Sequence, residues 1–133
     1  MNSNIKGNIA LAEAISYFTK QEYIVSIPLN DSQCYDLIIE KNGILKTVQV
    51  KYTSELKREE VYIGTLITTS GTTGKKIYSV VDTFVDLIFF HTDKGTNFLI
   101  PVCDIKTNKS ISLFTTEKSV NKRAKINTYN YII

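Results

Sequence analysis

Three polar side chains stand in a part of the sequence that otherwise predicts buried β-strands. Asp36 directly precedes the apolar run Leu-Ile-Ile, and Gln49 and Lys51 alternate with valines in the run that follows. A carboxylate with a second oxygen donor can hold Mg²⁺, and a lysine beside them can orient a metal-bound water or neutralise charge on a phosphate. These residue types together suit the hydrolysis of a phosphodiester.

The dipeptide Asn42-Gly43, between the two apolar runs, predicts how the strands pair. It is the preferred pair for a two-residue type I′ turn, because both central residues need a positive φ. With these residues in the turn, Lys41 pairs with Ile44, and Asp36 lies directly across from Gln49. A shift of the pairing by one residue would place Asp36 and Gln49 on opposite faces, so the predicted constellation depends on this turn.

The same register divides the hairpin into a polar and an apolar face. Asp36, Gln49 and Lys51 share the first face, because side chains alternate along a strand and cross-strand partners share a side. The second face is expected to pack on a helix, and its apolar residues are Tyr35, Leu37, Ile39, Val48 and Val50.

A second acid would strengthen a metal site there, and Glu13 is the available candidate. Residues 4–20 predict a helix with a broad apolar stripe. The stripe consists of Ile5, Ile9, Leu11, Ala12, Ile15 and Phe18. Glu13 falls at its border, so the residue is expected to complete the site if the helix packs beside the hairpin.

The remaining elements predict an α/β sandwich with a mixed sheet, in one domain spanning residues 1–133. Further strands are expected at 23–27, 61–69, 85–91, 97–102 and 111–114, and a second helix at 117–130. The strand pair 85–91 and 97–102 is expected to turn at Asp93-Lys-Gly95.

Composition predicts a soluble cytoplasmic protein. The hydrophobic fraction is 43% and both charge signs are present, which is typical of a folded chain. The longest apolar stretch, 84–90, contains Asp86 and is far too short for a membrane span. The two cysteines, Cys34 and Cys103, lack a cysteine-rich framework and favour a reducing compartment.

Positive charge concentrates just after Lys51, in residues that include a basic loop at 70–76, and toward the C-terminus, which includes the basic segment 117–133. This distribution favours a polyanionic partner. The loop is not a Walker A sequence, because Thr69 and Lys76 stand where Gly and Ser or Thr are required. The lone histidine, His91, is assigned a structural or exposed role. The candidate nucleic-acid contacts are Thr53, Lys75, Lys76, Lys122, Arg123 and Lys125.

The order of these features resembles the PD-(D/E)XK nuclease superfamily in its Q-x-K variant. Residues 6–13 on the first helix, Tyr35-Asp-Leu37 and Gln49-Val-Lys51 follow one another as in that superfamily, and residues 81–102 resemble its later strand pair. More narrowly, the chain resembles the small homing endonucleases associated with group I introns. Two departures are present: Tyr35 replaces the proline of the family name, and Gln49 replaces the usual acid.

The resemblance implies a restriction-endonuclease-like core with a mixed β-sheet flanked by helices. It implies Glu13, Asp36 and Gln49 as metal ligands for Mg²⁺ and Lys51 as the catalytic lysine. The implied activity is cleavage of double-stranded DNA by a homodimer or homotetramer, since one site cuts one strand.

Three alternatives to a homing endonuclease remain open at this point. The first is a Holliday-junction resolvase or restriction-type nuclease with the same chemistry. The second is a non-catalytic DNA-binding module on a nuclease fold. The third is an interaction protein in which the face bearing Lys51 is merely solvated.

Overall fold

The computed structural model describes residues 1–30, 32–70 and 76–133, and a five-stranded mixed sheet lies at its centre. One α-helix, α1, spans Ser3–Lys20 and is capped by the Asn2 side chain, which accepts a hydrogen bond from the Ile5 N–H at 2.9 Å. The strands within these ranges are β1 Ile24–Ser26, β2 Leu37–Lys41, β3 Ile44–Thr53, β4 Leu56–Arg58, β5 Val61–Thr65, β6 Ile67–Ser70, β7 Lys76–Ser79, β8 Leu87–Thr92, β9 Asn97–Pro101 and β10 Ser110–Phe114. Short 3₁₀ turns lie at Val80–Asp82, Val102–Asp104, Glu117–Ser119 and Thr128–Tyr131.

The central sheet has the strand order β1-β2-β3-β8-β9. β3 and β8 run parallel, and the other neighbouring pairs are antiparallel. A second, three-stranded sheet has the order β10-β5-β4, and β6 pairs with β7 in a separate hairpin. The mixed α/β architecture expected from the element order is therefore confirmed.

The β2–β3 hairpin has the register that the Asn42-Gly43 turn predicts. Lys41 pairs with Ile44, and Leu37 pairs with Val48. Asn42 and Gly43 have φ values of 55° and 79°, the positive values that a type I′ turn requires. The turn at Asp93-Lys-Gly95 between β8 and β9 is also confirmed, with Gly95 at a φ of 90°.

Side chains on the two faces of the central sheet form two separate hydrophobic clusters. Leu37, Ile39 and Val48 pack with Phe89 against α1, as the apolar face of the hairpin predicts. Ile88 and Phe90, which alternate with Phe89, face the second sheet. Each face of β8 is therefore buried, on one side by a helix and on the other by a sheet.

The two sheets approach each other closely at Gly64 on β5. A Cβ atom at this position would lie 2.8 Å from the Phe90 ring, a distance shorter than the contacts that Cβ atoms make in proteins. Glycine is therefore required there by packing, because any larger side chain would push the sheets apart.

Two predicted elements differ in the structure. The strand expected at 61–69 is divided into β5 and β6, because buried Leu66 leaves the β5 ladder and its backbone pairs with Lys109 and Val80 instead. The helix expected at 117–130 is wrong: the segment contains only the two 3₁₀ turns. Each of those turns is capped by a side chain, Thr116 in the first and Asn127 in the second, which stabilises a tight turn in place of a continuous helix.

No helix in residues 1–30, 32–70 and 76–133 combines the length and apolar character needed to cross a membrane.

Candidate active site

Asp36 and Gln49 meet at the open end of the β2–β3 hairpin. The Asp36 N–H donates to the Val48 carbonyl at 2.8 Å, which extends the ladder one residue beyond β2. The Oδ2 atom of Asp36 then accepts hydrogen bonds from the Val50 N–H at 2.7 Å and from Gln49 Nε2 at 2.9 Å. The predicted pairing of these two side chains is thus realised as a direct contact.

These hydrogen bonds determine which oxygens remain available at the site. A carboxylate only accepts, so the Gln49 amide presents Nε2 to it and turns Oε1 away. Asp36 Oδ1 and Gln49 Oε1 have no hydrogen-bond partner among the described residues. The Val50 carbonyl accepts a long contact of 3.4 Å from Gln49. The end of the hairpin therefore offers three oxygen atoms of different types.

Oxygen donors of this kind fit a hard divalent cation such as Mg²⁺. Asp36 contributes one negative charge, whereas the Gln49 amide and the Val50 carbonyl are neutral. Within residues 1–30, 32–70 and 76–133 no cluster of three or more His, Cys, Asp or Glu side chains could hold a metal. The donor set therefore fits Mg²⁺ in type, with only a single formal charge to attract it.

Lys51 occupies the same face of β3, two residues beyond Gln49, and is half-buried. Its Nζ donates to the carbonyl of Ile67 on β6 at 3.0 Å. Burial lowers the pKa of the Lys51 amine below its ordinary value, and the negative charge of Asp36 partly opposes this. The lysine is thus closer to giving up its proton at neutral pH than an exposed lysine would be.

Burial also dominates the electrostatics of Asp36. It raises the pKa of the carboxyl above its ordinary value, while the Val50 N–H and the Lys51 charge act in the opposite direction. Two ionisable groups of opposite sign are therefore both held where the charged form is disfavoured. Such paired perturbations are typical of reaction sites.

An open cleft of about 520 Å³ lies between this constellation and the start of α1. Its walls are formed by Ser3, Asn4, Gly7, Asn8, Leu11, Asp36, Gln49 and Val50. The amides of Asn4 and Asn8 are exposed and stand one helical turn apart, across the cleft from the carboxylate. Sequence reasoning missed them, although their spacing of four residues on a helix was the available signal.

Glu13 does not lie in the cleft. Its side chain is exposed, and at about 100° per residue it projects roughly 200° around α1 from Leu11. The helix packs on the sheet through Ala10, Ala14 and Phe18 rather than through the centre of the predicted stripe. The geometry therefore gives no support to Glu13 as a third metal ligand.

The candidate DNA contacts are distributed over the molecule. Thr53 is 6% exposed and its Oγ1 donates to the Ile63 carbonyl at 2.6 Å, so this hydroxyl joins β3 to β5 and is not accessible to DNA. Lys76 is exposed at the start of β7, and Lys75 lies outside the described residues. Lys122, Arg123 and Lys125 are all exposed on the C-terminal segment.

His91 has a structural role. It is 6% exposed, and its Nδ1 lies 2.6 Å from Asn97 Oδ1 across the β8–β9 pair. Its ring also packs against Tyr52, with 5.8 Å between the ring centroids.

Comparisons with known proteins agree with this geometry. The model of the PD-(D/E)XK endonuclease family matches residues 1–131. Among solved structures, the chain is similar to the bacterial homing endonuclease I-Ssp6803I, with a TM-score of 0.79 and 24% identity, over 99% of this chain and 89% of that one. No curated protein matches the chain. A match over residues 1–131, on a chain in which Asp36 contacts Gln49 beside an open cleft, establishes that the protein belongs to the PD-(D/E)XK endonuclease family.

Proposed function

We propose that this protein is a Mg²⁺-dependent endonuclease that hydrolyses phosphodiester bonds in double-stranded DNA, and that it is of the homing type. The observation that carries the proposal is the contact between Asp36 and Gln49, with Lys51 on the same face, at the edge of an open cleft. The similarity of the fold to a bacterial homing endonuclease supports the homing type. Action on DNA is consistent with the cytoplasmic location expected from composition.

Each residue of the site has a separate task in this proposal. Asp36 Oδ1, Gln49 Oε1 and the Val50 carbonyl would hold Mg²⁺, which would supply positive charge beside the phosphate and acidify a nearby water. Lys51, with its lowered pKa, faces the anionic phosphate and can exchange a proton with the attacking or leaving oxygen. The Asn4 and Asn8 amides are placed to donate hydrogen bonds to the phosphodiester from the opposite wall.

Cleavage of both strands needs two copies of the chain, because the Asp36–Gln49–Lys51 constellation can act on one strand at a time. A homodimer or homotetramer satisfies this requirement by symmetry. Mixed dimers of wild type and Asp36→Asn protein are therefore expected to nick a supercoiled plasmid that carries the target and not to linearise it. Full linearisation by such a mixed dimer would contradict the assignment of one strand to each subunit.

The central test is cleavage of a randomised duplex library in the presence and absence of Mg²⁺, with the cut ends sequenced. Wild type is expected to cut a defined subset only with Mg²⁺. Asp36→Asn and Lys51→Met are expected to lose cleavage and retain binding. Lys46→Met, an exposed lysine on the same strand, and Asp82→Asn, an exposed acid, are the matched controls. Undiminished cutting by both active-site variants would refute the proposal, and preferential cutting of four-way junctions would favour a resolvase.

A non-catalytic DNA-binding module is a second candidate, and the single carboxylate of the site is the observation that favours it. Such a protein binds duplex DNA in EDTA and never cuts it under any metal condition. Gln49→Glu separates the two candidates further, because it adds a second carboxylate oxygen beside Asp36. In a nuclease this variant is expected to bind Mg²⁺ more tightly without DNA, as measured by calorimetry, and to cut at a lower Mg²⁺ concentration.

A further inference from the structure

Two basic parts of the chain that are distant in sequence meet on the second sheet. Lys57 and Arg58 lie on β4, its edge strand, and Arg123 and Lys125 lie on the C-terminal segment. Two adjoining clefts, of about 360 and 230 Å³, are lined jointly by residues of both parts. They share Lys57, Ser112, Phe114 and Ala124. We call the surface formed by Lys57, Arg58, Ser112, Arg123 and Lys125 the basic cleft.

The outer face of the second sheet forms the floor of the basic cleft. Tyr62 belongs to the cluster buried between the two sheets, and Gly64 contacts Phe90 of the central sheet, so Ile63 between them points outward. Ser112, the cross-strand partner of Ile63, lies on the same outer face. The basic cleft is therefore on the side of the second sheet that faces away from the central sheet and from α1.

Charge in the basic cleft is of one sign. No acidic residue lines either of the two clefts among the described residues. The acids that follow Arg58 in sequence, Glu59 and Glu60, line a different cleft together with Lys94. For Arg123 and Lys125, no side-chain partner is recorded among the described residues, and both side chains are exposed. Four cations therefore converge without a neutralising acid.

The chemistry of the basic cleft fits the phosphate backbone of a DNA duplex. Lysine, arginine and serine side chains are common donors to phosphate oxygens, and such contacts position a protein without reading sequence. A lipid surface fits less well, because the apolar side chains that line the clefts, Ile63, Phe114 and Ile126, are buried or half-buried and cannot insert into a bilayer.

The distance between the basic cleft and the active site allows both to contact one duplex. Lys57 is six residues after Lys51, so the two Cα atoms are at most about 22 Å apart, even along a fully extended chain. One turn of B-DNA is about 34 Å long. We infer that the basic cleft binds the phosphate backbone of the same duplex that the active site cuts, within one turn of the scissile bond. The position relative to the scissile bond rests on the proposed nuclease function. The binding of DNA by the basic cleft does not depend on it.

The test measures how DNA affinity depends on salt in Asp36→Asn protein, in EDTA, between 50 and 200 mM salt, by fluorescence anisotropy with a labelled duplex. Adding Lys57→Gln, Arg123→Gln and Lys125→Gln is expected to reduce the slope of log K against log salt by about 2 to 3, since each lost phosphate contact accounts for about 0.9. Arg58 is left intact because its Nη2 donates to the Ser119 carbonyl at 2.7 Å. The charge-matched control carries Lys20→Gln, Lys46→Gln and Lys94→Gln, all exposed and outside the basic cleft, and should keep the parental slope.

A second set of variants protects the test against misfolding. Lys57→Arg, Arg123→Lys and Lys125→Arg together conserve the charge and should keep the slope. In protein with Asp36 intact, the three glutamines should raise KM for cleavage at least tenfold and leave kcat unchanged. Equal slopes for the cleft and control variants would overturn the inference. It would also be overturned if the cleft variants kept their DNA affinity and lost binding to phosphatidylserine vesicles. If the slope is reduced but the wild-type protein never cuts DNA, the proposed nuclease activity is refuted. The proposed binding of DNA by the basic cleft is then still supported.

Discussion

The β2–β3 hairpin and the C-terminal segment 117–133 both carry residues that we propose act on DNA, and their structures have opposite origins. The hairpin is determined locally, by a two-residue turn whose positive φ values fix every cross-strand pair. The C-terminal segment has almost no local structure, and it is held by residues from three distant strands. Local patterns therefore predicted the first region well and the second region badly.

The energetics of the two regions also differ. The end of the hairpin buries Asp36 and Lys51 in positions where their pKa values move against the charged forms. The C-terminal segment is instead satisfied by hydrogen bonds, as at Thr128, which donates to Ser112 and accepts from Phe114. Changes in the hairpin are therefore expected to reduce activity first, and changes at the buried hydrogen bonds of the C-terminal segment to reduce stability first.

The largest effect is expected from a register shift in the hairpin. Insertion of one glycine between Asn42 and Gly43 is expected to shift the strand pairing by one residue, which would place Asp36 and Gln49 on opposite faces of the pair. Cleavage is expected to fall at least about 1000-fold, because the lysine, the carboxylate and the amide no longer converge. Single-turnover cleavage of the target duplex, together with circular dichroism to verify folding, measures the effect.

The matched control is insertion of one glycine between Lys94 and Gly95, in the other glycine turn of the same sheet. It should cost similar stability and leave cleavage within about tenfold of wild type. Equal loss of cleavage from both insertions would mean that the Asn42-Gly43 turn has no special role.

The next largest effect concerns the C-terminal segment. Thr128 is fully buried, and Thr128→Val leaves the Phe114 N–H and the Ser112 carbonyl without their partner. The free energy of unfolding is expected to fall by about 2 to 3 kcal/mol, because each buried unsatisfied group costs on the order of 1 kcal/mol or more. Urea denaturation measures it, and Thr19→Val, at an exposed position on α1, is the control. If Thr128→Val lost cleavage without losing stability, the buried hydrogen bonds of the C-terminal segment would serve activity rather than stability, contrary to this expectation.

A smaller effect of opposite sign is expected from Asp36→Asn. The folded-state pKa of Asp36 is raised above its ordinary value of 3.8. As pH rises, the unfolded chain therefore loses this proton before the folded protein does. Stability decreases between the two pKa values. At pH 7 the variant should therefore be more stable than wild type. Denaturation at several pH values measures this, and the gain should vanish below the ordinary pKa. A variant that is less stable than wild type at pH 7 would show that the Val50 and Gln49 hydrogen bonds outweigh burial.

The smallest effect is expected at Glu40, which supports the turn from within the hairpin. Its Oε1 accepts a hydrogen bond from the Gly43 N–H at 2.9 Å in an exposed position. Glu40→Ala is expected to reduce stability by about 0.5 kcal/mol, because hydrogen bonds at the surface compete with water. Cleavage should stay at the wild-type level, since Asn42-Gly43 alone fixes the register. A loss of cleavage larger than about tenfold would mean that the side chain of Glu40 also sets the register.

Sequence reasoning failed where packing partners decide the geometry. The apolar stripe of α1 suggested that Glu13 faced the site, but the helix is rotated so that Ala10 and Ala14 contact the sheet. Small side chains let the helix approach closely, and this brings Asn4 and Asn8 to the cleft instead. Thr53 was similarly predicted to contact DNA, but its hydroxyl is covered by β5, where it donates to the Ile63 carbonyl.

The sequence by itself determined the hairpin, its register and the shared face of Asp36, Gln49 and Lys51, because a type I′ turn and period-two alternation need only neighbouring residues. It also determined the family, through the order of these residues along the chain. Only the tertiary structure decided the rotation of α1, the contact of Lys51 with Ile67, and the meeting of Lys57 with Arg123 and Lys125. Those features depend on contacts between residues far apart in the chain, whose energies no local pattern contains.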